Sequence, residues 1–142
     1  MESFPAALDQ KRPKLTQETF SYIENCVHRV RLSICSAAEA TISVEDEGKL
    51  VLEGSDVKRV FKDKLLPREA PATVSPISCK IRQYALHSLD TKLMNFQFDV
   101  IRRASNAAEE YVGVGETMIT SSDVDAVFAE AYEEWLGRQE AS

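Results

Sequence analysis

The sequence predicts an all-α protein in which a short helix, a long helix and a second short helix occur twice in tandem. Three features indicate this fold: an internal repeat, two long apolar stripes at helical spacing, and capping residues where short helices begin. With 142 residues, 44% of them apolar, the chain has the size and composition of one folded domain, or of two small units sharing a core.

The internal repeat joins two segments that surround a Ser-Asp-Val sequence. Residues 48–61 match residues 115–128 at a constant offset of 67, and the shared residues include the first glycine, Ser-Asp-Val and the final Val-Phe. Upstream, the match resumes at an offset of 70, where Val30 faces Val100 and Ala-Ala-Glu occurs in both copies. A surface loop can accommodate the difference of three residues. The alternative is a chance match between two amphipathic helices.

Each copy contains one long amphipathic helix. Its apolar residues recur at alternating steps of three and four, which places them on one helix face. The first helix is expected to be capped near Thr16 and the second to begin at Asp90-Thr91. A helix of about 25 residues is roughly 37 Å long, so two of them are expected to cross each other. The candidate pairing core comprises Phe20, Ile23, Val27, Val30, Ile34, Leu93, Phe96, Val100, Ala104 and Tyr111.

A shorter helix is expected after each long helix. In the second copy, Thr120 stands three residues before Asp123, a capping-box-like arrangement that starts a helix running to Leu136. In the first copy, residues 53–56 form a poorer cap, although their acidic side chains suit a helix N-terminus. A brief β-prone run precedes each of these helices, Leu50-Val51-Leu52 in one copy and Met118-Ile119-Thr120 in the other.

A short helix is also expected before each long helix. Residues 76–86 have apolar residues at helical spacing, and Pro76 occupies a favoured first position. The equivalent segment of the first copy, from Pro5 to Gln10, is truncated. The chain is therefore divided into a first unit at 1–66, a linker at 67–75 that is rich in proline and small residues, and a second unit at 76–142.

The order of these elements resembles the histone fold. The likeness is clearest at residues 118–124, where a hydrophobic residue, Thr, two variable residues, Asp and an aliphatic residue open the last helix. The resemblance implies tandem histone folds whose long helices pack antiparallel, with the first loop of one fold beside the second loop of its partner. The two folds would pair either with each other inside the chain or each with an external partner.

The net charge of the chain and its distribution distinguish between the functions that this resemblance implies. Seventeen Lys and Arg residues face twenty-three Asp and Glu residues, a net charge of -6, which excludes a protein that coats nucleic acid by bulk charge. Members of the family often carry an arginine in the second loop, but Lys49 and Glu116 stand at those positions. In the family's pairing, Lys11, Arg12 and Lys14 form one weakly basic end and a candidate DNA contact. The opposite end, where residues 87–90 would meet residues 45–49, is expected to be acidic.

Two further groups of residues allow more than one interpretation. Tyr132, Trp135 and Leu136 are candidates for partner docking because Trp and Tyr dominate such contacts, and core packing is the alternative. Lys58, Arg59, Lys62 and Lys64 are interpreted as a solvated face, with contact to a phosphate or an acidic partner as the alternative.

No catalytic, cofactor or metal site is predicted. The two histidines are isolated, the three cysteines lack a CxxC pair, and neither a Gly-rich phosphate loop nor an apolar run long enough to span a membrane occurs. We expect a non-enzymatic nuclear subunit that scaffolds a chromatin or transcription complex through protein contacts, with at most weak DNA contact. It would have no membrane or small-molecule partner. The alternatives are a doublet histone that compacts DNA and a histone-fold subunit of centromeres or DNA repair.

Overall fold

The computed structural model describes residues 13–45, 51–72, 80–109 and 118–142. The described ranges form four α-helices and four two-residue strands, so the all-α prediction is confirmed. In chain order the elements are β1 (Lys14–Leu15), α1 (Gln17–Glu45), β2 (Val51–Leu52), α2 (Gly54–Lys62), β3 (Lys80–Ile81), α3 (Gln83–Glu109), β4 (Met118–Ile119) and α4 (Ser121–Ala141). None of the described helices is both long and apolar enough to cross a membrane.

A strand, a long helix, a second strand and a further helix occur twice in this order. We refer to residues 13–72 as the first half and residues 80–142 as the second half, using only their described parts. Both β-prone runs contain a strand, β2 in the first half and β4 in the second, as predicted. The predicted helices that follow them are also present, as α2 and α4.

The strands pair between the halves at both ends of the molecule. Strand β1 pairs in parallel with β4, where Leu15 lies opposite Ile119, and β2 pairs in parallel with β3, where Leu52 lies opposite Ile81. Each sheet therefore joins the strand before one long helix to the strand after the other. Because every strand adjoins a long helix, the two sheets fix how the halves lie against each other.

The long helices are held together by apolar side chains that recur every three or four residues on one face of each helix. Helix α1 has 29 residues and begins as predicted beside Thr16, whose hydroxyl accepts a hydrogen bond from the Thr19 N–H at 3.2 Å. The two buried stripes belong to one hydrophobic core and consist of Ile23, Val27, Val30, Ile34, Ala38 and Ile42 in α1 and Leu89, Leu93, Phe96, Val100, Ala104 and Ala108 in α3.

The predicted start of the second long helix is wrong. Helix α3 begins at Gln83 rather than at Asp90-Thr91, so the supposed loop at 87–90 is helical. Where it is described, the short helix predicted at 76–86 is instead strand β3 and the first turn of α3, and its remaining residues lie outside the described ranges. The physical reason is that Ala85 and Leu89 are buried and extend the apolar stripe of α3 by another turn. The predicted helix at 5–10 also lies outside the described residues.

The structural register of the long helices also differs from the predicted offset of 70. Strand β1 begins at Lys14 and β3 at Lys80, while α1 begins at Gln17 and α3 at Gln83, so the structural offset is 66 for both pairs. The two offsets differ by four residues, which is about one helical turn, and a shift of one turn keeps apolar residues on the same face. The sequence repeat therefore indicates the correct buried face of each long helix, but it aligns the two helices one turn away from their structural register.

The second half adds an aromatic cluster to the core. The ring of Phe96 in α3 lies 5.4 Å from Phe128, 6.4 Å from Tyr132 and 5.1 Å from Trp135, all in α4. Trp135 also meets Phe61 of α2 edge to face at 5.7 Å. The cluster therefore ties α2, a first-half helix, to both helices of the second half.

Candidate interaction site

Most of the candidate pairing residues lie in the hydrophobic core that the two long helices share. Eight of the ten are buried in the shared core; of the other two, Phe20 is half-buried and Tyr111 lies outside the described residues. The buried members are Ile23, Val27, Val30, Ile34, Leu93, Phe96, Val100 and Ala104. Sequence reasoning missed Ala85 and Leu89, because it placed them in a separate short helix and a loop.

Polar contacts between the halves accompany this core. The buried Thr19 hydroxyl in α1 donates to the carbonyl oxygen of Ile119 in β4 at 2.8 Å. Nearby, the Tyr22 hydroxyl donates to Asp125 in α4 at 2.5 Å. This hydrogen bond, followed by burial, raises the pKa of Tyr22 to about 12, so the phenol stays protonated and keeps donating at neutral pH.

The long helices are also joined by an ion pair. Arg31 Nε in α1 donates to Asp90 in α3 at 2.8 Å. Asp90 was expected in a loop at an acidic end of the molecule, but it lies within α3, and residues 46–49, the other part of that expected end, lie outside the described residues. The described residues at that end instead include the exposed side chains of Lys80 and Arg82, the latter 3.2 Å from Glu53.

A second charge cluster joins α3 to α4 within the second half. Asp99 accepts hydrogen bonds from Arg102 at 2.5 Å and Arg103 at 2.9 Å, and Arg103 also bonds Glu134. Burial on its own would raise the pKa of Asp99, but the hydrogen bonds and charges of the two arginines outweigh it and hold that pKa below its usual value. Asp99 therefore stays ionised between two cations.

The three residues considered for partner docking lie in the core. Tyr132, Trp135 and Leu136 are buried, which favours the core alternative and leaves none of these side chains on the surface. The Tyr132 hydroxyl donates to the Pro67 carbonyl oxygen at 2.9 Å, so the segment after α2 rests against α4. Burial raises the pKa of Tyr132 to about 12.

The candidate DNA contact is described only in part. Lys14 is exposed and belongs to β1, where it lies opposite Met118 of β4. Lys11 and Arg12 lie outside the described residues.

An open depression of about 920 Å³, which we call the basic depression, lies between α2, α3 and the end of α4. Its cations are Lys58, Arg59 and Lys62 of α2 and Lys92 of α3, and the carboxylate of Asp63 is the acidic side chain in its wall. The other lining residues are Ser55, Phe61, Gln139 and Ser142. Sequence reasoning identified the lysines of α2 but not Lys92, which only the packing of α2 on α3 brings beside them.

The lysines of the basic depression are not neutralised within the described ranges. Arg59 bonds Asp63 at 3.1 Å, whereas Lys58, Lys62 and Lys92 form no ion pair with a described acidic residue. The ammonium group of Lys92 lies 5.7 Å from the centre of the Phe61 ring, a cation–π contact. The depression is thus a concentrated positive site on a chain whose net charge is negative.

A smaller hollow extends the basic depression along α3. It has a volume of about 280 Å³, shares Ser55, Lys58 and Lys92 with the basic depression, and reaches Tyr84. Tyr84 is 84% exposed, an unusual position for an aromatic ring. Charged and aromatic groups are therefore adjacent on this surface.

The described residues contain no group of His, Cys, Asp and Glu side chains arranged to hold a metal ion. Cys26 and Cys35 are buried free thiols, and burial raises the pKa of Cys35, which keeps it protonated.

No protein-family model, curated protein sequence or solved structure is significantly similar to this chain.

Proposed function

We propose that this chain is a doublet of histone-like folds that acts as a non-enzymatic scaffold in a nuclear chromatin or transcription complex. The observation that supports this most directly is the pairing of β1 with β4 and of β2 with β3. The histone-fold resemblance implies this arrangement for two paired folds, with the first loop of each beside the second loop of the other. Pairing within one chain leaves the outer helix surfaces for other subunits.

Exposed apolar side chains on the outer face of α3 favour protein partners. Met94 and Phe98 are 56% and 61% exposed, and they lie one turn apart on the same face of the helix. Large apolar side chains that lie together on a surface are typical of protein contacts. The net charge of -6 opposes a role in which the whole surface binds DNA.

A doublet histone that compacts DNA is the second candidate. It is favoured by the exposed Lys80 and Arg82 beside the β2–β3 sheet, where an acidic end had been expected. Such a protein would lose DNA affinity steeply as salt is raised, because binding releases counterions from the phosphates.

The test is affinity purification of the tagged full chain from its native cells, followed by mass spectrometry and nuclease digestion of the recovered material. The scaffold function predicts a discrete, stoichiometric set of nuclear subunits. Met94→Glu with Phe98→Glu should lose part of that set, and Asn95→Glu, an exposed neutral control on the same helix, should retain it. Recovery of bulk chromatin with a protected DNA length and no discrete partners would overturn the scaffold in favour of the doublet histone.

A further inference from the structure

We propose that the basic depression binds a carboxylate-rich peptide segment of a partner protein. This inference rests on the proposed scaffold function and adds to it a place and a chemistry for one partner. The depression combines concave shape with lysines that have no described carboxylate partner, and the hollow that adjoins it adds the exposed ring of Tyr84.

The cations converge on one space from two helices. Lys58 and Lys62 are one turn apart on α2, so they share a face, and Lys92 projects from α3 across the Phe61 ring. Among the described residues these three ammonium groups lack carboxylate partners. Gathering like charges is unfavourable unless an anion lies between them, so a ligand carrying several negative charges fits this arrangement.

The dimensions suit a short extended peptide. From Ser55 to Lys62, α2 rises roughly 10 Å, which is the length of about three residues of extended chain. The adjoining hollow continues toward Tyr84 and makes room for further residues. Tyr84 offers its exposed ring to one apolar side chain, while the lysines take the carboxylates as point charges.

Shape and charge favour a peptide over nucleic acid at this surface. A duplex presents a broad convex polyanion, and most of its charge would lie outside a depression of this size, facing a protein of net charge -6. The Debye length is about 8 Å at physiological ionic strength, so a short peptide inside the depression responds mainly to the nearby lysines.

The experiment is a fluorescence-polarisation titration of the full chain with a labelled synthetic peptide that is rich in Asp and Glu and contains one Phe. The wild-type chain should bind saturably. Lys58→Glu and Lys62→Glu should each lower the affinity by about ten-fold, because each replaces attraction with repulsion, whereas Lys58→Arg should retain binding. Lys14→Glu is the matched control, because it changes the net charge by the same amount as Lys58→Glu. Lys14 precedes α1, at the end of that helix away from α2, so this variant should leave the peptide affinity unchanged. Circular dichroism checks that each variant is folded.

Three results would overturn the inference: no binding by the folded wild-type chain, an equal loss in Lys14→Glu and Lys58→Glu, or tighter binding of duplex DNA that Lys58→Glu abolishes. These results are distinct from a failure of the scaffold function, which the affinity purification decides. If Lys58→Glu with Lys62→Glu retains every discrete nuclear partner and the peptide does not bind, the depression has no such role while the scaffold stands.

Discussion

The last helices of the two halves begin in the same way but differ in length. Helices α2 and α4 both follow a two-residue strand, and both begin with an Asp three residues after the N-cap that accepts the N-cap N–H at 2.8 Å. Yet α2 has nine residues and α4 has 21. The local signals that start a helix are therefore independent of those that decide its length.

The difference in length gives the two helices different roles. Helix α4 continues past Phe128 to Tyr132 and Trp135, which supply the aromatic core around Phe96. Helix α2 stops at Lys62, and its end lies beside the end of α4, where Gln139 and Ser142 complete the wall of the basic depression. Helix α4 thus supplies three rings of the aromatic core, whereas α2 supplies the buried Phe61 and three of the four cations of the basic depression.

The largest test of this comparison is Trp135→Ala. Trp135 contacts rings from both α2 and α3, so we expect its loss to lower the free energy of unfolding by about 3–5 kcal/mol, measured by urea denaturation. At the repeat offset of 67, its equivalent in the first half is Arg68, whose half-exposed side chain pairs with Glu140. Arg68→Ala would leave the buried carboxylate of Glu140 without this partner, so it should cost about 1–3 kcal/mol, less than Trp135→Ala.

Trp135→Phe is the control that separates the loss of aromatic packing from the loss of the polar Nε1 atom. The Nε1 of Trp135 has no hydrogen-bond partner within the described structure, so Trp135→Phe should cost much less than Trp135→Ala. Equal losses in Trp135→Ala and Arg68→Ala would show that the two halves do not divide the roles as described.

Asp99→Asn tests the charge cluster that joins α3 to α4. Removing the carboxylate that Arg102 and Arg103 share should lower the free energy of unfolding by about 1–3 kcal/mol at neutral pH. Because the pKa of Asp99 is lower in the folded state, the stabilisation by Asp99 is fully present above the unfolded pKa of about 3.9. It is lost as pH falls through the folded pKa.

The measurement is the difference in stability between wild type and Asp99→Asn across the acidic range. That difference should be largest at neutral pH and should shrink below about pH 4. At the structural offset of 66, the equivalent position in α1 is Ser33, and Ser33→Ala, which removes no charge, should give a difference independent of pH. A constant difference for Asp99→Asn would contradict the assigned ionisation.

Thr120→Ala tests the cap of α4. The Thr120 hydroxyl accepts a hydrogen bond from the Asp123 N–H at 3.4 Å, and its loss should lower the free energy of unfolding by about 1 kcal/mol. Thr120→Ser keeps the hydroxyl and should restore most of that loss. If both variants unfold at the same urea concentration as wild type, the cap does not stabilise α4.

Features that depend on local chemistry were predictable from the sequence. Strands β2 and β4 and the starts of α2 and α4 follow from β-prone runs and capping residues within a few positions, whereas β1 and β3 have no such local signal and were not predicted. The register of the long helices was not predictable from periodicity, because a shift of four residues leaves the apolar face unchanged. For the same reason Ala85 and Leu89 were separated from the stripe to which they belong.

The candidate site was predictable only where its residues are neighbours in the chain. Lys58 and Lys62 are visible as a cluster in the sequence, but Lys92 is brought to them by the packing of α2 on α3. The role of Trp135 stayed open for a similar reason. An aromatic residue on an amphipathic helix suits a core or a surface equally, until the helix that packs on it is known.

The smallest expected effect concerns the end of α2. The N–H of Lys64 donates to the Phe61 carbonyl at 3.1 Å and the N–H of Leu65 to the Val60 carbonyl at 2.9 Å, which is the Schellman pattern of helix termination. This pattern places Lys64 at a φ of 54°, where glycine is favoured because a Cβ is strained. Lys64→Gly should therefore raise the free energy of unfolding by about 0.5–1 kcal/mol in thermal or urea denaturation, even though glycine loses more backbone entropy on folding. Lys64→Ala keeps the Cβ and removes the same charge, so it should not produce this gain. If both variants are stabilised equally, charge rather than backbone strain limits the end of α2, and the early stop of that helix needs another cause.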